Sequence, residues 1–349
     1  MRIALVTDAW QPQVNGVVRT LNTTCQYLER AGHRVETIQP GLFRTLPCPT
    51  YPDIRLALLP GRQVAARLEQ FEPDAIHIAT EGPLGQAARR YCLRNGLPFT
   101  TSFHTQFPEY IRLRAPIPVA WTYGWLRNFH AAAARTLVPT PSQRDKLLAR
   151  GFRNLCLWSR GVDTAIFSPH SPHAYALPRP VAVYMGRVAV EKNIEAFLSL
   201  SLPGSKVVIG DGPDLERLRT RYPGCLFLGP KFGAELASHL AGGDVFVFPS
   251  RTDTFGLVLL EAMACGLPVA AYPVQGPIDI IDHGRTGMLA EDLGAAVEGA
   301  LNLSREVCVE AASRYSWASS SATFAGFLAP IGKRRAVAPS AFKERTDPT

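Results

Sequence analysis

Two cations open the stretch of this chain best suited to chemistry. Gly186-Arg187 follows an apolar run, Val181–Met185, and Lys192 comes five residues after Arg187. A guanidinium offers a planar fork and an ammonium a point charge, so the pair can converge on phosphate oxygens. A second stretch reads Ser250-Arg251-Thr252-Asp253-Thr254-Phe255-Gly256-Leu257-Val258-Leu259-Leu260-Glu261-Ala262, with two acids eight residues apart. Asp253 falls on a loop, and Glu261 inside an apolar helix. A carboxylate in such surroundings needs a partner, and ligand hydroxyls can supply one. Free N–H groups near Gly256 and Leu257 suit a phosphate. The plain alternatives are ordinary surface charge for the cations and a solvent-facing side chain for Glu261.

The first half carries three strand-end candidates. In Pro12-Gln13-Val14-Asn15-Gly16-Val17-Val18-Arg19, Gly16 lets the backbone approach a ligand, and the helix start offers N–H groups to an anion. The dinucleotide fingerprint GxGxxG is missing, and an ordinary strand–helix turn would read the same way. His104, in Ser102-Phe103-His104-Thr105-Gln106-Phe107, can bond sugar hydroxyls or move a proton, or it can be a structural histidine. Thr80-Glu81 is a similar pair at the end of Asp74–Ala79.

The elements that must hold these residues alternate. Arg2–Thr7, Val35–Ile38, Asp74–Ala79, Pro98–Phe103 and Leu137–Pro139 read as strands. Helices are expected from about Arg19 to Ala31, with Gly32 as the residue after the cap, and from Ser142, with Asp145 completing a capping box. Residues 166–180 hold four prolines and no helical period, which predicts a linker. The alternation then restarts at Val181–Met185 and continues through helix Ile194–Leu200, strand Lys206–Ile209, helix Asp214–Arg221, strands Cys225–Leu228 and Asp244–Phe248, helix Phe255–Ala264, strand Val269–Tyr272 and helix Trp317–Leu328. Continuous apolar strands alternating with helices predict parallel, doubly wound sheets. The fold class is therefore α/β, with two Rossmann-like domains facing a central cleft. The expected division is residues 1–165, linker 166–180, residues 181–316, a helix over 317–330 turning back to the first domain, and a loose basic tail over 331–349.

Composition narrows the classes. Hydrophobic residues make up 46% and charged residues 19% of 349, enough for two cores and too apolar for disorder. No run of about 18 apolar residues occurs, and Asp8 comes too early for a secretory leader. Seven scattered cysteines without a CxxC pair suit reduced thiols and argue against zinc. The net charge of +8 is uneven: residues 1–165 carry 20 Lys and Arg against 11 Asp and Glu. That half expects an anionic partner, such as a membrane surface or a phosphorylated acceptor. No nucleic-acid-binding motif appears, and nothing in the sequence sets the oligomeric state.

Together these motifs resemble the retaining nucleotide-sugar glycosyltransferases of the GT-B fold, specifically glycosyltransferase family 4. The likeness runs to about Leu328, with the Asn-Gly-Val loop, SFHTQF, VPTPSQRDKLLARG, SRGVD, the Arg187/Lys192 stretch, GDGP and TFGLVLLEAMACGLPV in the family's order. It looks closest to α-mannosyl-, glucosyl- or sulfoquinovosyl-type transferases acting on lipid acceptors. The resemblance implies that Arg187 and Lys192 hold the donor diphosphate. It implies that Asp253 meets sugar hydroxyls and Glu261 the ribose, with Asp253 one methylene shorter than the family's usual Glu. Phe255, Gly256 and Leu257 match the backbone at the sugar and phosphate, Gly16 the glycine beside donor and acceptor, and His104 the histidine near the transferred sugar. Lys231, in Gly229-Pro230-Lys231-Phe232, falls at the base-binding loop, and Asn15 and Glu81 on the acceptor side. No metal or other cofactor is implied. The expected reaction moves a hexose, with retention, from a UDP-sugar or GDP-mannose to a membrane lipid or glycan. The expected place is cytoplasmic, on the inner face of a membrane, where Trp121, Tyr123, Trp125, Phe129 and Arg127 suit a bilayer interface. Competing readings are a GT-B epimerase, which would need no acceptor, a phosphorylase, for which no phosphate or cofactor site is found, and a non-catalytic nucleotide-sugar sensor, which would bind without turnover.

Overall fold

A computed structural model describes residues 1–13, 15–48, 51–112, 118–170 and 172–332. Val14 of the Asn-Gly loop, Ser171 of the linker and the tail from Lys333 lie outside the described residues. The first half contains strands β1 (Arg2–Val6), β2 (Arg34–Ile38), β3 (Thr45–Cys48), β4 (Tyr51–Ala57), β5 (Ala75–Ile78), β6 (Thr100–Ser102), β7 (Arg135–Val138) and β8 (Leu155–Leu157). Its helices are α1 (Gly16–Arg30), α2 (Gly61–Phe71), α3 (Pro83–Arg94), α4 (Phe107–Arg112), α5 (Val119–Ala131) and α6 (Pro141–Leu148). The second half adds β9 (Val181–Met185), β10 (Ser205–Ile209), β11 (Leu226–Phe227), β12 (Val245–Phe248), β13 (Val269–Ala271) and β14 (Gly287–Leu289). Between and after them come α7 (Ile194–Leu198), α8 (Leu215–Arg221), α9 (Gly233–Ala241), α10 (Leu257–Ala264), α11 (Pro277–Ile280), α12 (Leu293–Ala300), α13 (Arg305–Ser313) and α14 (Trp317–Phe327).

Two parallel six-stranded sheets result. The first has the order β2-β1-β5-β6-β7-β8 and the second β11-β10-β9-β12-β13-β14. In each, the chain steps one way from an inner strand and then returns to the other side, the doubly wound pattern the apolar runs predict. All five residues of β9 and all four of β5 and β12 are buried, as strands covered by helices on both faces require. Each sheet has packed cores on its faces, around Val183, Phe246 and Leu259 and around Phe197 and Val297 in the second half, and around Ile76 and Phe99 in the first.

Three local readings need correction. α1 begins at Gly16 rather than Arg19, because the Asn15 side chain caps it. α6 is capped by Thr140, whose hydroxyl accepts from the Gln143 N–H, and not by a Ser142–Asp145 box. α10 begins at Leu257, because Gly256, at φ +82°, holds the left-handed turn before it. Gly32, at φ +81°, sits past the end of α1 as expected. None of the seven cysteines forms a disulfide.

The chain crosses between the halves twice. The outgoing segment is anchored: Phe167 is buried in the second core, and the Tyr175 hydroxyl reaches His239. The returning chain pairs Ser316 with Val162 in a single bridge, and Gly161 packs so tightly on the Trp317 backbone that a methyl group would collide. α14 then lies on the first sheet, where Phe324 is fully buried against Trp158, with ring centroids 4.8 Å apart.

Candidate active site between the two sheets

The carboxyl ends of both sheets face each other, and their loops touch. Gly16, first residue of α1, lies opposite Leu257, first residue of α10; a Cβ on Gly16 would sit 3.7 Å from the Leu257 side chain. One turn into α1, Arg19 forms a short ion pair with Glu261 on α10. Glu261 is 3% exposed and its second oxygen has no hydrogen-bond partner. Burial pushes its carboxyl up to about 7, against the opposing pull of Arg19. The partner that an apolar helix demanded for Glu261 is thus a side chain from the opposite half.

Arg187 leaves the end of β9, and its carbonyl accepts from the buried Tyr184 hydroxyl beneath it. Lys192 closes a short 3-10 turn, and its Nζ donates to Asp253 Oδ2 at 2.5 Å. Asp253 is held from the other side as well. Its carbonyl accepts from Gln106 Nε2 at 2.9 Å, and Lys146 Nζ bonds Gln106 Oε1, Glu109 Oε1 and Gln275 Oε1 at 2.8–3.1 Å. The next residue, Thr254, donates its hydroxyl to the His104 carbonyl at 2.7 Å. Phe255 is buried beside Arg160, whose guanidinium carbon lies 6.0 Å from the ring centroid. A cavity of about 450 Å³ opens next to them, lined by Thr140, Arg160, Phe255, Asp279 and Ser320 among others.

The remaining first-half candidates are tied to their own framework. Asn15 Oδ1 accepts from the Val17 and Val18 N–H groups at 3.0 Å each, so this residue is a helix cap. Glu81 Oε1 lies 3.2 Å from Nε2 of buried His130. Lys231 pairs with Glu235 at 2.5 Å, between its own loop and α9.

The structure therefore gathers Gly16, Leu257 and Glu261 in one group, Lys192 and Asp253 in a second, and His104 with Phe255 through Thr254 and Arg160 in a third. Sequence reasoning passed over four residues that do this work: Arg19, Gln106, Lys146 and Arg160. Arg19 and Gln106 lie inside motifs already singled out, and Arg160 inside SRGVD, but their partners are more than 50 residues away. It also passed over Asp8, whose carboxylate accepts from the Leu84 and Gly85 N–H groups at the start of α3. A side chain on Gly82 would run into that carboxylate. Burial raises the Asp8 carboxyl, and these bonds lower it. Among the described residues, no group of three or more His, Cys, Asp or Glu could hold a metal ion, and no helix is long and apolar enough to cross a membrane.

Comparison with known proteins gives the family of the chain. Residues 14–166 match the family model for Glycosyltransferase Family 4, and residues 179–306 match that for Glycosyl transferases group 1. The chain is 31% identical over 315 residues to a GDP-mannose-dependent alpha-mannosyltransferase of Mycobacterium tuberculosis, covering 83% of each chain. It is 36% identical over 274 residues to a sulfoquinovosyl transferase of Arabidopsis thaliana, covering 70% of this chain and 52% of that one. In fold it is similar to sucrose-phosphate synthase of Thermosynechococcus elongatus, with a TM-score of 0.71, 18% identity, and coverage of 93% of this chain and 97% of that one.

Proposed function

Because the chain belongs to glycosyltransferase family 4 and is a nucleotide-sugar-dependent transferase of the GT-B fold, we propose that it moves mannose from GDP-mannose, with retention, to a lipid acceptor at a membrane surface. The observation that carries this reading is the Lys192–Asp253 contact beside Arg187, at the carboxyl end of β9. Breaking the sugar–phosphate bond leaves positive charge on the ring and negative charge on the departing diphosphate. Arg187 and Lys192 neutralise the diphosphate, helped by the N–H groups of Gly256 and Leu257 before the first turn of α10. The incoming diphosphate takes over Lys192, and Asp253, relieved of it, turns to the sugar hydroxyls. Glu261 exchanges Arg19 for the ribose. Gly16 leaves room for the donor phosphate beside α1, and His104 bonds the transferred sugar. Closure at the double crossing near Val162 and Ser316 excludes water and so limits donor hydrolysis.

GDP-mannose is favoured as donor by the mannosyltransferase relative, which matches along most of both chains. The lipid acceptor is supported by the surface of the first half. Trp121 is 75% exposed and Trp125 49% exposed, one turn apart on one face of α5. Exposed indole rings suit the boundary between headgroups and acyl chains, and the basic excess of this half draws it to anionic lipid.

The deciding experiment incubates the purified protein with a panel of GDP- and UDP-sugars and vesicles containing anionic phospholipid and diacylglycerol, and identifies products by mass spectrometry. A mannosylated lipid formed from GDP-mannose is the expected result. Transfer from UDP-sugars alone overturns the donor assignment. Donor binding without any transfer overturns the reaction.

A further inference from the structure

Three imidazoles, His77 and His130 buried and His104 partly buried, sit near the carboxyl end of the first sheet, and they differ in one respect. His77 has a hydroxyl at each nitrogen: Thr100 Oγ1 at Nδ1 and Ser102 Oγ at Nε2, both at 2.9 Å. His130 bonds Thr101 Oγ1 at 2.9 Å and Glu81 Oε1 at 3.2 Å. His104 is bonded at one nitrogen only. Arg160 Nη2 lies 3.3 Å from its Nδ1, while its Nε2 is buried without any partner.

Arg160 is itself 4% exposed. Its guanidinium lies 4.2 Å from the Trp158 ring centroid and donates to the Trp158 and Ser159 carbonyls at 2.6 and 3.3 Å. No carboxylate lies within ion-pair distance of it among the described residues. A guanidinium has five donors and no acceptor. The His104 nitrogen it touches must therefore be the unprotonated one, and the ring proton must sit on the other.

We propose that Arg160 is a positioning residue that locks His104 as a neutral imidazole with its proton on Nε2, leaving a buried N–H donor for an oxygen the substrate brings. His104 then supplies a hydrogen bond and cannot serve as a general base through that nitrogen. The groups facing it act in the same direction. Burial comes first, then the charge of Arg160 from the end of β8, then His77 of β5 and His130 of α5, and together they hold His104 well below the usual histidine range. From the second half, Thr254 and Phe255 close over it. That the acceptor is an oxygen of the transferred sugar rests on the function proposed above; the proton's location does not.

The proton's location is read directly by two-bond ¹H–¹⁵N correlation spectra of the uniformly labelled full-length protein. The His104 signals are assigned by their loss in His104→Gln. The expected wild-type pattern is a pyrrole-type Nε2 and a pyridine-type Nδ1, unchanged from pH 5 to pH 8. A protonated Nδ1, or titration of His104 in that range, overturns the inference. In Arg160→Met, Nδ1 loses the donor that keeps it unprotonated, so both tautomers should appear while burial still holds the ring below the usual histidine range; if that variant does not fold, the wild-type spectrum still decides.

Kinetics test the second link separately. Arg160→Met should lower kcat roughly ten- to a hundredfold, the scale of one buried donor losing its geometry, with little change in donor KM. His104→Gln, whose amide can offer a donor near the same place, should retain more activity than His104→Ala. If the spectra are as expected but His104→Gln and His104→Ala turn over like wild type, the imidazole does not meet the sugar, and the function reading of His104 fails while the proton assignment stands.

Discussion

The two faces of the cleft keep their polar groups in different ways. On the first-half face, the strand-end side chains are bound into the scaffold. Asn15 caps α1, Asp8 bonds the start of α3, and Glu81 is held by buried His130. On the second-half face, the charges stand in pairs. Lys192 is matched by Asp253, and Glu261 by Arg19 from across the gap. A capping bond holds its side chain against backbone N–H groups of its own half. An ion pair has a competitor in any ligand that offers the same charge. The first face is bound into its own framework, and the second carries ion pairs.

That contrast can be broken by experiment. The largest expected effect is Lys192→Ala, which should cut kcat/KM roughly 10²–10³-fold, the scale of one charge-stabilising donor, while the melting temperature barely moves. Equal loss from Asn15→Ala in the same assay would erase the distinction. Next comes Glu81→Ala. It leaves a buried nitrogen of His130 without its partner and should cost about 1–3 kcal/mol in urea denaturation, with a smaller loss of turnover than Lys192→Ala. Asn15→Ala should cost about 1 kcal/mol, the worth of one helix cap.

The smallest effect concerns pH. His77 is held at about 3 by burial and by Arg160, and His104 well below its usual range by burial first. In the unfolded chain both take up protons below about 6.5, so stability is lost as pH falls below that value. Glu261 acts oppositely. Raised to about 7, it holds its proton longer when folded, so its ionisation takes stability away as pH rises from about 4.5 towards 7. The denaturation midpoint should climb from pH 4 to about pH 7. Glu261→Gln should steepen that climb, and an unchanged slope would remove Glu261 from the balance.

Much of this molecule could be read along the chain. A strand covered on both faces must be apolar throughout, so Val181–Met185 and Val245–Phe248 announced themselves. The β3–β4 hairpin did not, because Leu46 is 55% exposed and Pro47 interrupts the run. α12 and α13 were also missed; α12 is small-residue rich, and only Cys308 and Ala312 of α13 are buried. In the site, residues fixed by local rules were legible: cations after a strand, a glycine before a helix, an acid inside an apolar helix. The pairings were not. Whether Glu261 meets Arg19, or Arg160 meets His104, depends on how two distant segments dock, and no local pattern records that.

The bridge between Val162 and Ser316, with Gly161 pressed against Trp317, means that the polypeptide passes between its halves as two strands lying side by side. A single tether would let one lobe wobble and twist over the other. Two crossings held side by side resist twisting of one half over the other in a way that one tether cannot.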